Sequence, residues 1–445
     1  LSSLLSPLSS LLSPLSSLAR SRSLSLALAR SRSLSLSRGG GTDGVVPPPM
    51  GASSPLLFSR RTVLLLRGRS ARARLLSELS RAIGLVQSFS CSGPGDVRAL
   101  EEWMRAHPAA HVRAILGKTE GNGCVNDFSR GWAAESVRAV VERTSSRHDS
   151  PPVAIMSGGT EGVLEPHFLL FAELPPVSGS ERKAPESEAV VESERLVIGT
   201  AVTRNFAPEE IGTMAQVHET RDAVLRACEA AGLEPQQAHF AQIKTPLLTS
   251  DRVASAAGEC QTADTYHSMA LSRAASALGV ALATKEVTEV TTPEIGVNFD
   301  KFSSIASTSA GVETMRNEVM VLGNSAAASN GNLRVESCVM ADALDVASIH
   351  GLFAKAGLQM EHGQLNPKSR DRLVALLCKA DPVGMLRGRR TTMLTDSDLQ
   401  ATRHARAAVG GLLAGAVGHA RLFVSGGAEH QGPDGGGPVL LIYRA

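Results

Sequence analysis

The chain has 445 residues, of which 43% are hydrophobic and 3% aromatic, with 45 basic side chains against 43 acidic ones. This balance argues against a nucleic-acid binder, because polyanion binding needs a concentrated basic surface and aromatic rings for base stacking. An apolar run of 18 residues free of charge and proline does not occur, so we expect no membrane-spanning helix. The six cysteines are widely spaced, which favours a reducing compartment over a disulfide framework or a zinc site.

The first 87 residues differ in composition from the rest. They contain twelve arginines, no lysine and two acidic residues, and they begin with a near-heptad repetition of Leu, Ser, Pro and Arg. The prolines prevent a long helix there, whereas residues 60–83 could form a basic amphipathic helix. This Arg-rich, Ser-rich and acid-poor composition is typical of an organelle transit peptide, and a low-complexity leader without a role is the alternative. The expected location is therefore a plastid or mitochondrion in the first case and the cytoplasm in the second.

The remaining chain repeats one order of residues three times. An apolar, strand-like run ends in Lys, as in HVRAILGKTEG, AHFAQIKTPLL and VASIHGLFAKAG. An Ala-rich helical stretch with an Arg follows, and then a second strand that ends in Ser and small residues. Alternating strands and helices predict an α/β fold. The repeated residues are Lys118, Arg130 and Ser157, then Lys244, Arg273 and Ser309, and finally Lys355, Arg406 and Ser425.

Each residue type suits a polar reaction site. A Lys that is partly buried at a strand end has a lowered pKa, and a neutral Lys can activate a Ser as nucleophile. Arg offers a fixed fork of donors to carbonyl oxygens, and Gly or Ala after the Ser lets a ligand approach the backbone. Each of these residues alone is more often a surface or turn residue. Because all three recur in one order, we predict a shared site built from three equivalent units.

Seven ordered motifs carry a family resemblance. They are GKTEGNGCVNDFSRGWA, MSGGTEG, SRAASALGVALA, ASTSAG, RGRRTTMLTDSDL, TRHARAAVGG and SGGAEHQGPDGGGP. With these motifs, residues 88–445 resemble the cyanuric acid hydrolase and barbiturase family of ring-opening amidohydrolases. The resemblance implies three homologous β-sheet-plus-helix repeat units around a pseudo-threefold axis, a small planar cyclic imide as substrate, and a homotetramer. The predicted bounds are unit A at 88–175, a charged linker at 176–196, unit B at 197–329 and unit C at 332–445.

The resemblance also implies a role for each repeated residue. Ser309 and Lys244 form the catalytic pair, in which Lys244 takes the proton of Ser309 and the Ser oxygen attacks a ring carbonyl. The other two pairs and the three arginines bind the remaining ring carbonyls, with Arg403 as the alternative to Arg406. The implied pairs outside the catalytic one are Ser157 with Lys118 and Ser425 with Lys355. Backbone amides at Gly158, Ala310 and Gly426 are the candidates for oxyanion support.

The glycine-rich segment AEHQGPDGGGP suggests a metal site, because turn carbonyls and a carboxylate suit a hard cation. The resemblance implies a structural Mg²⁺ or Ca²⁺ there, and a metal-free loop is the alternative. We predict no organic cofactor. The implied metal ligands are Glu361, Ala428, Gln431, Gly432, Pro433 and Gly436.

Three functions remain open at this point. The first is hydrolytic opening of cyanuric acid to carboxybiuret, which then yields biuret and CO₂. The second is the barbiturase reaction, from barbituric acid to ureidomalonate. The third is a non-catalytic binder of planar cyclic ureides. Zinc hydrolysis and nucleotide binding have little support, because neither H-E-x-x-H nor G-x-x-x-x-G-K-[ST] occurs. We expect no nucleic-acid or membrane partner.

Overall fold

The computed structural model describes residues 83–146, 151–174, 194–328, 331–394, 396 and 399–445. All of them belong to one unit of the chain, Ser59–Ala445. The predicted leader with its amphipathic helix therefore lies outside the described residues, except for its last five positions. Most of the predicted linker also lies outside them.

Unit A is a four-stranded sheet with two helices. The strand order is β1-β4-β2-β3, in which β2 and β3 are parallel and the other neighbours are antiparallel. Strand β1 pairs with β4 from Ile83 to Ser90, so the described part of the sheet extends five residues before the predicted boundary at 88. The elements are β1 (Ile83–Ser90), α1 (Arg98–Ala106), β2 (His111–Thr119), α2 (Ser129–Thr144), β3 (Val153–Gly158) and β4 (His167–Leu174).

Unit B has the same strand order, β5-β8-β6-β7, with β6 and β7 parallel. Its long helices are capped by local side chains: the Thr213 hydroxyl accepts from the amide of Ala215, and the Asp264 carboxylate accepts from the amide of Tyr266. The first strand begins two residues before the predicted boundary at 197. The elements are β5 (Arg195–Val202), α3 (Met214–Ala231), β6 (Ala238–Pro246), α4 (Ser250–Ala254), α5 (Thr265–Thr284), β7 (Ala306–Gly311) and β8 (Glu318–Ser325).

Unit C repeats the order again, as β9-β16-β12-β15 with β12 and β15 parallel. Two short hairpins and one short helix are inserted around its second strand. The elements are β9 (Leu333–Met340), α6 (Val346–Lys355), β10 (Met360–Glu361), β11 (Gln364–Leu365), α7 (Pro367–Arg372), β12 (Leu373–Ala380), β13 (Met385–Leu386), β14 (Arg389–Arg390), α8 (Ala401–Val417), β15 (Phe423–Gly426) and β16 (Gly437–Arg444).

The inner faces of the three sheets pack on one another. Leu116 of β2, Phe240 of β6 and Leu377 of β12 belong to one buried cluster that all three units share. The outer faces are covered by helices: α1 and α2 on unit A, α3 and α5 on unit B, and α6 and α8 on unit C. The predicted α/β fold of three homologous sheet-plus-helix units around a pseudo-threefold axis is therefore confirmed.

The prediction of a strand over VASIHGLFAKAG is wrong, because this segment forms helix α6. Ile349, Leu352 and Phe353 are its buried residues, and their spacing of three to four is helical. The Asp345 carboxylate caps the first turn by accepting from the amide of Ser348. The second strand of unit C is β12, with the sequence LVALLCKA. Within the described ranges, no helix is long and apolar enough to cross a membrane.

Candidate active site

Each unit carries one Lys and one Ser at the carboxyl ends of its two parallel strands. Successive side chains of a strand point to opposite faces, so the Lys lies on the same face as the buried residue two positions earlier. Leu116 and Leu377 belong to the shared inner cluster, and so does Phe240, which lies four positions before Lys244 and therefore on the same face. All three Lys therefore point inward. The register pairs Lys118 with Ser157, Lys244 with Ser309, and Lys379 with Ser425.

The third Lys is Lys379, and the predicted pairing of Ser425 with Lys355 is wrong. Lys379 is fully buried on β12, and its Nζ donates to Ser425 Oγ at 3.2 Å. Lys355 is the exposed last residue of α6. The helix covers the outer face of the sheet, whereas the Ser lies on the inner face, and this difference separates Lys355 from the site.

The three units meet at one pocket that encloses about 260 Å³ of empty space, part of it open to solvent. Most of the predicted site residues line the pocket, and Gly123 and Met269 are added to them. The lining residues are Gly123, Arg130, Ser157 and Gly158 of unit A, Lys244, Met269, Arg273, Ser309 and Ala310 of unit B, and Arg406, Ser425 and Gly426 of unit C.

Burial changes the protonation of the three Lys. It lowers the pKa of Lys244 to about 8, against the opposing effect of the nearby Glu313 carboxylate. The pKa values of Lys118 and Lys379 also lie well below the usual range, because both side chains are buried and each lies near an arginine. A neutral Lys, which can accept a proton, is thus accessible near neutral pH.

The three Ser hydroxyls have different partners. Ser157 Oγ accepts from Lys118 Nζ at 3.2 Å, just as Ser425 Oγ accepts from Lys379. Ser309 Oγ, in contrast, is buried and has no hydrogen-bond partner among the described residues. Ser309 is therefore the hydroxyl of the three that is left for a new contact.

Lys244 uses its donors elsewhere. Its Nζ donates to the carbonyl oxygens of Met156 at 2.7 Å and Ala310 at 3.2 Å, and it lies 2.8 Å from Glu313 Oε1. The predicted contact between Lys244 and Ser309 is therefore not formed here, although the two residues are opposite each other in the β6–β7 register. Catalytic hydrogen bonds commonly form only when substrate is bound.

Each predicted Arg forms an ion pair with a Glu of another unit. Sequence reasoning missed the three Glu residues, although each lies four positions after the Ser of its unit, in SGGTE, SAGVE and SGGAE. Arg406 of unit C binds Glu161 of unit A through Nε and Nη2, at 2.6 and 2.5 Å. Arg273 binds Glu429 through Nε and Nη2, at 2.7 and 2.6 Å. Arg130 is paired with Glu313, and its Nε lies 3.5 Å from Glu313 Oε2.

The structure separates the two Arg candidates of helix α8. Arg406 is buried, lines the pocket and donates through Nη1 to Thr402 Oγ1 at 3.4 Å. Arg403 is half-buried and donates to the carbonyl oxygen of Asn122 at 3.3 Å. Arg406 is thus the member of the pair placed to bind a ligand in the pocket.

The family follows from comparison with known proteins. Residues 85–444 match the family described as amidohydrolase ring-opening protein. This chain belongs to that ring-opening amidohydrolase family. The prediction of the family, and with it of a cyclic amide hydrolase, is confirmed.

Curated relatives of this amidohydrolase are similar over nearly their whole length. The cyanuric acid amidohydrolase of Ectopseudomonas oleovorans is 45% identical over 81% of this chain and 99% of its own. That of Pseudomonas sp. strain ADP is 44% identical over 80% of this chain and 97% of its own.

Two solved structures have the same fold. One, described as "Cyanuric acid hydrolase: evolutionary innovation by structural concatenation", has a TM-score of 0.74 and 41% identity, and the match covers 82% of this chain and 100% of that one. The second, from A. caulinodans, has a TM-score of 0.71 and 40% identity, covering 82% of this chain and 99% of that one. The concatenation named in the first description agrees with the three sheets of equal strand order.

Close packing explains one of the glycines in this amidohydrolase. A Cβ on Gly158 would lie 1.9 Å from Asp127 Oδ2. Asp127 cannot move easily, because it accepts from the amide of Gly123 at 2.9 Å and from the hydroxyl of Ser129 at 2.5 Å. The equivalent position in unit B, Ala310, holds a methyl group. Unit A therefore requires Gly where unit B does not.

The C-terminal loop between β15 and β16 folds around Asp381, and not around the predicted Glu361. Asp381 accepts from the amides of Ala428 and Gly435, both at 3.1 Å. Burial and the nearby Glu429 raise the pKa of Asp381 to about 7. The side chain of Glu361 is 65% exposed in the β10–β11 hairpin, whereas Asp381 contacts the loop directly. Asp381 is therefore the better candidate for an acidic ligand, and Glu361 stays a prediction.

The loop residues fit a hard cation better than a zinc ion. A buried carboxylate whose charge is disfavoured gains from a nearby cation, and turn carbonyls are oxygen ligands. Among the described residues, no group of three His, Cys, Asp or Glu side chains is placed to hold a metal. The predicted carbonyl ligands all lie in this loop: Ala428, Gln431, Gly432, Pro433 and Gly436.

Proposed function

We propose that this amidohydrolase opens the ring of cyanuric acid. The observation that carries the proposal is the pocket, where three units of equal topology each contribute a Ser and an Arg around one space, with the register-paired Lys beside the Ser. Cyanuric acid has three equivalent carbonyls and three ring nitrogens, so its symmetry matches that of the donors. The substrate named for the curated relatives supports the same choice.

In the proposed reaction, neutral Lys244 takes the proton of Ser309 Oγ. The Ser oxygen attacks one ring carbonyl, and the oxyanion that forms is supported by backbone amides near Ala310. The ring C–N bond then breaks, and the Lys244 ammonium returns its proton to the leaving nitrogen. Water hydrolyses the acyl-Ser309 intermediate and releases carboxybiuret, which loses CO₂ to give biuret.

The other two Ser–Lys pairs hold the ring in this reaction. Lys118 donates to Ser157 and Lys379 donates to Ser425, so the hydroxyls of these two serines are oriented before substrate arrives. Such preorganised donors bind the two carbonyls that do not react and polarise the ring. Arg130, Arg273 and Arg406 add positive charge at the same three positions.

A structural Mg²⁺ or Ca²⁺ is part of the proposal. Asp381 and the carbonyls of the loop would hold it, and bound there it would supply positive charge that keeps the loop folded. The loop also carries Glu429, which binds Arg273 in the pocket. Through this contact, the order of the loop affects the position of a substrate-binding Arg.

The test is turnover by purified protein, followed as the ultraviolet loss of cyanuric acid and, separately, of barbituric acid. We expect cyanuric acid to be opened faster, and Ser309→Ala and Lys244→Met to lose turnover. Preferred opening of barbituric acid would instead indicate a barbiturase. Binding of both compounds without turnover by the wild type would indicate the non-catalytic binder.

A further inference from the structure

We propose that Glu313 is the positioning residue for Lys244: it holds the Lys amine in place and stabilises the ammonium that forms when Lys244 takes the proton of Ser309. Ser309, Lys244 and Glu313 would then act as a triad in which the third member orients and stabilises the base. This inference rests on the proposed function of the Ser309–Lys244 pair.

The first support is an asymmetry among the three equivalent Glu residues. Glu161 and Glu429 each bind an Arg through both carboxylate oxygens, at 2.5 to 2.7 Å. Glu313 lies 3.5 Å from its Arg and only 2.8 Å from Lys244 Nζ. The carboxylate of unit B has thus exchanged its Arg for the Lys that the reaction uses as base.

The sequence shows why Arg130 releases Glu313. Three residues before the Arg, unit A has Asp127, whereas unit B has Ala270 and unit C has Arg403. Arg130 Nη1 lies 3.8 Å from Asp127 Oδ2, and its Nη2 donates to the carbonyl oxygen of Cys124 at 2.8 Å. Both Nη atoms of Arg130 thus have a partner within unit A, whereas its Nε, 3.5 Å from Glu313, makes no hydrogen bond to the described residues. Glu313 lies closer to Lys244 than to this Nε.

The second support is the burial of both groups. The side chains of Lys244 and Glu313 are 1% and 6% exposed. A proton taken up by Lys244 creates a positive charge in this dry environment, and such a charge is costly unless it is paired. The paired carboxylate makes proton transfer from Ser309 more favourable, as the third group of a nucleophile–base pair does in general.

Other charged groups near the pair do not replace Glu313. Arg130 disfavours the charged form of Lys244, and Asp127 favours it less strongly than Glu313 does. Arg252, beside Glu313, donates to the carbonyl oxygens of Leu247 and Val312. Glu313 is thus the carboxylate that contacts Lys244 directly.

The experiment compares Glu313→Gln with the matched variant Glu161→Gln, which removes the same charge at the equivalent position of unit A. Cyanuric acid turnover is measured against pH for both and for the wild type. In Glu313→Gln we expect kcat to fall about 100-fold and the acid limb of kcat/KM to move about one pH unit lower, because the protonated form of Lys244 loses its partner. The acid limb of Glu161→Gln is expected to match the wild type.

A second readout does not depend on activity. Lysine labelled with carbon-13 at Cε is titrated by NMR, and Lys244→Met assigns the signal of interest. A lower titration midpoint of Lys244 in Glu313→Gln than in the wild type supports the proposed contact. If the wild type opens no ring but this shift is seen, the proposed function fails and the contact between Glu313 and Lys244 stands. An unchanged midpoint, or an acid limb that stays in place or moves equally in Glu161→Gln, overturns the inference.

If Glu313→Gln does not fold, Glu313→Asp takes its place. The shorter side chain keeps the negative charge but withdraws the carboxylate from Lys244 Nζ, which it contacts at 2.8 Å in the wild type. We expect the Lys244 midpoint to fall and kcat to decrease. A Glu313→Asp protein with the wild-type midpoint and kcat would count against the proposal.

Discussion

Lys379 and Ser425 are opposite each other in the parallel pair of β12 and β15, and the Lys Nζ lies 3.2 Å from the Ser Oγ. Lys118 and Ser157 have the same register relationship and the same distance in unit A. Two units therefore share one hydrogen-bonded geometry. The third unit departs from it, because Lys244 donates to the carbonyl oxygens of Met156 and Ala310 and not to Ser309.

Lys379→Met should lower kcat/KM for cyanuric acid at least about tenfold, because Ser425 loses the donor that orients its hydroxyl toward the ring. Lys355→Met is the matched control, since Lys355 is exposed on helix α6, and its kcat/KM should equal that of the wild type. Steady-state kinetics on both variants decide the matter. A larger loss of kcat/KM in Lys355→Met than in Lys379→Met would indicate that Lys355 is the partner of Ser425.

Ser309→Ala and Ser425→Ala should affect different kinetic constants. Ser309 Oγ has no hydrogen-bond partner among the residues that the structure describes, so its loss should reduce kcat about 1,000-fold or more while the protein still binds cyanuric acid. Ser425 already accepts from Lys379, and its loss should mainly raise KM. Calorimetric titration with cyanuric acid and turnover assays measure the two effects. Equal kcat losses in both variants would contradict a unique nucleophile.

The activity of the wild type should rise with pH. Lys244 accepts a proton only when it is neutral, and burial lowers its pKa to about 8. Below that pH the amine is protonated and inactive as a base; above it the neutral form dominates. The kcat/KM for cyanuric acid, measured between pH 6 and 9.5, should reach half its maximum near pH 8. A flat profile over this range would argue against Lys244 as the base.

The ion pair between Arg406 and Glu161 should contribute to the stability of the fold. Glu161→Gln leaves the guanidinium of Arg406, which is 3% exposed, without its paired carboxylate. We expect the free energy of unfolding in urea to fall by about 3 kcal/mol. The double variant Glu161→Gln with Arg406→Met should lose less, because no unpaired charge remains. Purely additive losses would show that the pair does not act as a unit.

Removal of divalent cations should lower the thermal stability of the protein. A chelator should reduce Tm by about 5 °C, because a ligand bound to the folded state alone stabilises it. Asp381→Asn should have a low Tm from the start and respond little to the chelator, whereas Glu361→Gln should behave like the wild type. Thermal denaturation with and without added Mg²⁺ or Ca²⁺ measures this. An identical Tm in chelator and in either cation would contradict a metal at the loop.

Several features of the site were predictable from the sequence because they are local. Ser157, Ser309 and Ser425 each end a short apolar run and are followed by Gly or Ala, so the strand end and the close ligand approach can be read within ten residues. Lys118 and Lys244 were found in the same way. The position of Lys379 was available too, because LVALLCKAD resembles AILGKTE, but the apolar residues before Lys355 gave a competing pattern.

In a short window, a buried helix and a buried strand cannot be told apart by their apolar residues. The segment before Lys355 was therefore predicted as a strand. Only the packing of Ile349, Leu352 and Phe353 on one face shows that the segment is a helix. The acidic residue beside the C-terminal loop was also out of reach of the sequence. The family resemblance implied Glu361, but the end of strand β12 places Asp381 against the loop amides.

By itself, the sequence determined the number of repeat units, their α/β character and most of the residues that face the pocket, because strand alternation and turn chemistry act over a few neighbouring residues. Tertiary structure alone decided which Lys joins Ser425, which Glu pairs with which Arg across the units, and that Glu313 binds Lys244 where its counterparts bind Arg. These contacts join residues that are far apart in the chain. Their geometry depends on how three separate sheets pack around one core.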